Sequence, residues 1–188
     1  MLKPVLIAAT LLLAAPALAE TPAVSTPGVS ANATAIARLD AMKGVWKGEA
    51  KGSGPGGAFT LTQTERVGSM LGGDVLVVEG RGYEATGKLA FNALGIISFN
   101  AQTGAYEFRA YTSGRSGTFK FEPTATGAVW EMPAGPTARI VSTITIKGDT
   151  WHEVQDYVAT GQPPRRFFEM NLKRVGDTDW PSAGAIQP

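Results

Sequence analysis

The sequence predicts an all-β fold: a single antiparallel up-and-down β-barrel of about eight to ten strands, preceded by one short helix. Three observations carry this. After Gly44, runs of β-branched and aromatic residues recur with Gly, Pro, Asn or Asp breaks every 8 to 12 residues. The connecting segments are short and of hairpin type, as in Asn100-Ala101-Gln102-Thr103-Gly104, Ser113-Gly114 and Lys147-Gly148-Asp149. Finally, a long meander joined by such loops leaves two exposed edges unless it closes on itself.

In chain order, Met1-Leu2-Lys3 is followed by an apolar run over 4–13 and by Ala17-Leu18-Ala19 before Glu20. One cation, a short apolar core and a small-x-small ending are the parts of a secretory signal peptide. Residues 1–19 are therefore expected to be cleaved after Ala19, giving a periplasmic or secreted protein. The run is short for a hydrocarbon core and contains Pro4 and Pro16, so no stable membrane anchor is expected. Residues 20–33 hold little but Pro, Ser, Thr, Ala, Val and Gly and read as a flexible leader. Over 34–43, Ile36, Leu39 and Met42 recur at helical spacing, with Thr34 placed to cap the helix and Gly44 to end it.

The ten strands are expected at 45–51, 58–67, 74–84, 90–99, 105–112, 117–122, 127–132, 137–147, 150–159 and 165–175. Together with the helix they make one domain over 34–175. The segment 176–188 carries no period and reads as a loose tail. Gly52-Ser53-Gly54-Pro55-Gly56-Gly57 has the spacing of a dinucleotide fingerprint, but strand rather than helix follows it, so it reads as a hairpin loop.

Composition excludes several functions. The 188-residue chain has 17 Lys and Arg against 16 Asp and Glu, and loss of Lys3 with residues 1–19 leaves 16 against 16. A neutral chain without basic runs lacks the footprint of a nucleic-acid binder or of a polybasic membrane binder. With no cysteine there is no disulfide, thiolate nucleophile or thiolate metal ligand. Neither a Gly-x-Ser-x-Gly elbow nor a Ser-x-x-Lys pair is present, so serine hydrolase chemistry has no visible nucleophile.

Three segments carry a resemblance. Met42-Lys43-Gly44-Val45-Trp46-Lys47-Gly48-Glu49 resembles the Gly-x-Trp-x-Gly opening of calycin barrels, a superfamily of lipocalins, fatty-acid-binding proteins and haem-binding nitrobindins. Leu71-Gly72-Gly73-Asp74 and Asn100-Ala101-Gln102-Thr103-Gly104-Ala105-Tyr106 are similar to patterns in uncharacterised bacterial calycin-like domains. The resemblance covers roughly residues 40–175. It implies that Trp46 plugs the closed end of the barrel, with Arg174 of the last strand stacked on it as a cation on a π face. It also raises haem, whose histidine in nitrobindins lies late in the chain; the single His152, beside Glu153 and Asp156, does not match that position, and no cofactor or metal is expected.

The candidate ligand contacts are Glu79, Arg81 and Tyr83 on one strand face, Tyr106 and Arg109 on another strand, and His152. An arginine beside aromatics suits a carboxylate or other anionic head. Alternation gives each strand two faces, and which one points inward stays open. The expected function is binding of a small apolar or amphipathic ligand in the lumen, without a committed catalytic role. The alternatives are an enzyme acting through an inward cluster that includes Glu79, Arg81 or His152, and a filled barrel serving as an interaction protein.

Overall fold

A computed structural model describes residues 29–183. The expected signal peptide and most of the expected leader lie outside the described residues. The chain opens with α1 (Ala31–Ile36), which runs directly into a 3-10 turn over Ala37–Met42. The helix starts earlier than its apolar period suggests. Its cap is Ser30, whose hydroxyl accepts a hydrogen bond from Ala33 N at 2.9 Å, while Thr34, the expected cap, donates to the Ser30 carbonyl at 3.1 Å. Ser30 sits in a Ser- and Ala-rich stretch with no large apolar residue, so no periodicity announces it.

Ten strands follow: β1 (Gly44–Gly54), β2 (Gly57–Met70), β3 (Val75–Tyr83), β4 (Leu89–Asn100), β5 (Ala105–Thr112), β6 (Arg115–Thr124), β7 (Gly127–Pro133), β8 (Ala138–Lys147), β9 (Thr150–Ala159) and β10 (Arg165–Gly176). Each pairs with its neighbours antiparallel, and β1 pairs with both β2 and β10, so the barrel closes without an edge. Every expected strand is present, most of them longer than the sequence indicated. The glycine-rich stretch after β1 is the two-residue Pro55-Gly56 turn between β1 and β2, and Asn100 accepts hydrogen bonds from Gln102 N and Thr103 N to shape the β4–β5 turn.

One end of the barrel is shut by packing. Ile36, Leu39 and Met42 from the helical segment meet Trp46, Leu76, Ile97, Phe121, Trp151 and Leu172, all nearly inaccessible to solvent. Trp46 sits in the middle of this plug. Its indole Nε1 donates to the Met42 carbonyl at 2.9 Å, its ring meets Trp151 edge-on at 5.7 Å, and the Arg174 guanidinium lies 5.3 Å from its centroid. Arg174 also donates to the Lys43 carbonyl and to Asp177. One side chain thus ties the last strand to the segment that enters the first.

Beyond β10 the chain turns back along β2, in the region expected to be a loose tail. Arg66 stacks over Trp180 at 4.3 Å, and Ser182 donates to the Ser69 carbonyl at 2.8 Å. These contacts lie on the outer wall at the closed end.

Candidate functional site

Closure decides which face of each strand is inside. On β3 the inward set is Leu76, Val78, Gly80 and Gly82; on β5 it is Tyr106, Phe108 and Ala110; on β9 it is Trp151, Glu153 and Gln155. Towards the closed end these positions carry large side chains. In the middle and at the other end they alternate with small ones, Ala50, Gly80, Ala93, Gly95 and Ala110 among them, and the barrel is left partly empty. A ten-stranded closed sheet is wider than side chains of this size fill. The resulting cavity has a volume of about 710 Å³.

Its walls are mostly apolar. Phe59, Phe91, Phe167 and Phe168 stand towards the end opposite the plug, and Phe108 packs against Phe119, Phe121 and Trp130 with ring centroids 5.1 to 6.5 Å apart. Phe59, Leu89 and Phe91 remain partly exposed at that end, which makes an apolar rim.

Glu84 lines the cavity at its rim, and two buried carboxyls interrupt the apolar wall. Glu65 on β2 and Glu153 on β9 are each only 7% exposed, and both line the cavity. Gln63 Nε2 donates to Glu65 Oε1 at 2.7 Å, and Ser142 Oγ donates to Glu153 Oε1 at 2.5 Å. Burial pushes Glu65 up to about 8, against the Gln63 hydrogen bond, and the negative charges of Glu153 and Glu79 push the same way. Burial likewise raises Glu153, while Ser142, Gln155, Trp151 and Trp130 favour its anion. The Trp151 indole is near enough to act on that charge, yet its buried Nε1 makes no hydrogen bond of normal geometry. Space for Glu65 is provided by Gly80 on the adjoining strand, where a Cβ would stand 2.9 Å from the carboxyl oxygen. Among the described residues no Lys, Arg or His lines the cavity.

The residues singled out from the sequence are distributed differently. Glu79, Arg81 and Tyr83 share the outer face of β3. Glu79 accepts from Arg66 at 2.7 Å and from Arg81 at 2.6 Å; partial burial works to raise its carboxyl, but these two guanidiniums hold it below the ordinary range. Arg109 also points outward, 5.7 Å from the Tyr111 ring. His152 lies outside on β9, with Nε2 3.0 Å from Glu169 Oε1, and Glu169 is held low mainly by that hydrogen bond. Tyr106 faces inward at the closed end, where its hydroxyl donates to the Ala35 carbonyl at 2.8 Å and seals the helix onto the barrel. Of the six, none joins the polar cluster of the lumen.

The cluster that does form consists of Gln63, Glu65, Ser142, Glu153 and Gln155, and sequence reasoning passed over it. A signal was present: Gln63 and Glu65 alternate with Leu61 and Val67, and Glu153 shares the parity of Trp151. Among the described residues no group of three or more His, Asp or Glu is placed to hold a metal ion.

No family model matches the chain. No curated protein matches it either. Among solved structures it is similar to the crystal structure of Rv2717c from M. tuberculosis, with a TM-score of 0.56 and 17% identity over 78% of this chain and 99% of that one. At this identity the likeness speaks for the fold alone.

Proposed function

We propose that this is a calycin-like barrel that binds one small apolar or amphipathic molecule in its lumen. The observation that carries the reading is the cavity of about 710 Å³, walled by aromatic and aliphatic side chains and containing a few polar groups. That combination is the usual form of a small-molecule site, in which apolar walls supply affinity and a few polar groups fix orientation. A barrel filled by its own side chains would leave no such space. The outward placement of Glu79, Arg81 and His152 removes support for chemistry through those residues.

Haem gains no support from the lumen. The sole histidine faces outward and is engaged with Glu169, so the wall residues do not fit a histidine-ligated haem.

Titration with the neutral fluorophore N-phenyl-1-naphthylamine tests the reading. Saturable one-to-one binding with enhanced emission is the expected result; absence of any saturable change would overturn it.

The proposed site of action is the periplasm or the exterior, on the strength of the residue pattern over 1–19. Exported protein is expected to begin at Glu20 by intact-mass analysis. A mass that retains residues 1–19 would contradict export with cleavage.

A further inference from the structure

Among the described residues the lumen holds buried acid without buried base. Glu65 and Glu153 stand on β2 and β9, separated in the closed sheet by β1 and β10. Around Glu65 the inward neighbours are Gln63 on its own strand, Trp46 on β1 and Gly80 on β3, none of them charged; the β10 residue paired with Trp46 is Arg174, whose guanidinium lies over the far side of that indole and is engaged by the Lys43 carbonyl and Asp177. The charged groups nearest to it are Glu153, across the lumen, and Glu79, whose own charge is already matched outside by Arg66 and Arg81. Glu84, near the open rim, has Lys88 at 3.9 Å. Isolated buried carboxylates are costly, and groups in this position stay protonated or find a cation.

Two polar groups are also left over. Glu65 Oε2 has no hydrogen-bond partner among the described residues, although Oε1 is engaged by Gln63. Trp151, 2% exposed, has a buried indole N–H that acts on the Glu153 carboxyl without reaching it in a hydrogen bond of normal geometry. A carboxylate oxygen asks for a donor, preferably charged, whereas an indole N–H asks for an acceptor. An anionic head such as a fatty-acid carboxylate would meet two carboxyls and no cation.

We infer that the lumen takes a long-chain amine carrying a nearby oxygen, its ammonium set against Glu65 and Glu153 and its oxygen against the Trp151 indole. This deepens the lumen-binding reading and rests on it. The apolar chain lies along the phenylalanines towards the rim, which places the head at the inner end of the cavity.

Proton balance follows from the charges. At neutral pH the ammonium enters a site where Glu65 is protonated, so forming the ion pair releases the Glu65 proton to solvent. Affinity therefore rises with pH until Glu65 is ionised in the free protein, at about 8. Glu153, also raised by burial, works in the same direction.

The test is displacement of N-phenyl-1-naphthylamine by N-dodecylethanolamine, dodecanol and dodecanoate at pH 6, 7 and 8. The amine is expected to bind tightest at pH 8, by about tenfold or more over dodecanol, as for a charge-assisted contact in place of a neutral one. Its affinity should increase by up to about tenfold per pH unit from 6 to 8, as coupled release of one proton requires. Glu65→Gln, and separately Glu153→Gln, should each remove most of the preference for the amine over dodecanol and flatten the pH dependence of amine binding; two variants guard against one failing to fold. Dodecanoate binding as tightly as the amine, or an amine preference that survives both substitutions, would overturn this inference and leave lumen binding standing. Failure of the fluorophore and all three competitors to bind would overturn both.

Discussion

Trp46→Ala is expected to destabilise the barrel by about 3 to 5 kcal/mol, the range for removing a large aromatic from a packed core. Trp46 is fully buried, and its loss empties the centre of the plug on which Ile36, Leu39, Met42 and Trp151 converge. The substitution also strips the Met42 carbonyl of its indole donor and removes the face over which Arg174 lies. Urea unfolding of the two proteins measures it. A difference below about 1 kcal/mol would mean that the plug does not hold the closed end together, since such a value is ordinary for a peripheral site.

The second large effect concerns pH. Glu65 is held at about 8 in the folded protein, mainly by burial, against an ordinary carboxyl value of 4.5. A group with a raised folded-state value binds its proton more tightly when folded. Its contribution to stability is complete below 4.5 and is lost as pH rises through about 8. Each pH unit in that window is worth about 1.4 kcal/mol at most, so roughly 4 to 5 kcal/mol is at stake across it. Glu65→Gln keeps the shape and an oxygen acceptor but cannot ionise. Accordingly the variant should match the parent within about 1 kcal/mol near pH 4 and exceed it by several kcal/mol near pH 9, after allowance for the shared titration of Glu153. Urea midpoints across pH 4 to 9 give the comparison. Parallel stability profiles for the two proteins would show that Glu65 is ionised and accommodated at neutral pH.

The two effects belong to opposite parts of one barrel. At the plug, large apolar side chains from the helical segment and from β1, β3, β4, β6, β9 and β10 remove water and fix the sheet. Above it, small inward residues forgo packing, and two carboxyls are kept away from solvent with few partners. Locally unfavourable features of this kind are retained at functional sites, where they are offset by stability elsewhere.

The strands were legible in the sequence because each break is chemically marked. Asn100 takes its side-chain turn, Gly148 has a positive φ of 54°, and Pro55-Gly56 turns between two runs rich in strand formers. Closure followed from the short connections. The plug was legible as well, in the sense that Trp46 and Arg174 were singled out together, and they do meet at 5.3 Å.

The lumen was not legible, and β9 shows why. One of its faces carries His152, Val154 and Asp156, the other Trp151, Glu153 and Gln155. Each face mixes apolar and polar residues, so the usual rule of apolar inside and polar outside does not choose between them. Pairing chooses: Glu153 stands opposite Ile144 and Met170, whereas His152 stands opposite Thr145 and Asn171. On β3 the same ambiguity drew attention to Glu79, Arg81 and Tyr83, because charged residues stand out in a strand, while the inward Gly80 and Gly82 that make room in the lumen carry no side chain to notice. A cavity is made by what residues lack, and composition along one strand does not reveal it.

Occupancy of the lumen is tested most directly by closing it. Ala110 lies inward on β5 beside Gly95, in the cavity wall and away from the plug. Ala110→Trp should fill the space without touching Trp46, leaving the urea midpoint near that of the parent. One-to-one binding of N-phenyl-1-naphthylamine should then be lost or weakened by at least about tenfold, as when an added bulky group takes the place of a ligand in a close-packed pocket. Undiminished binding by a folded Ala110→Trp protein would place the fluorophore outside the barrel and contradict the lumen as the binding site.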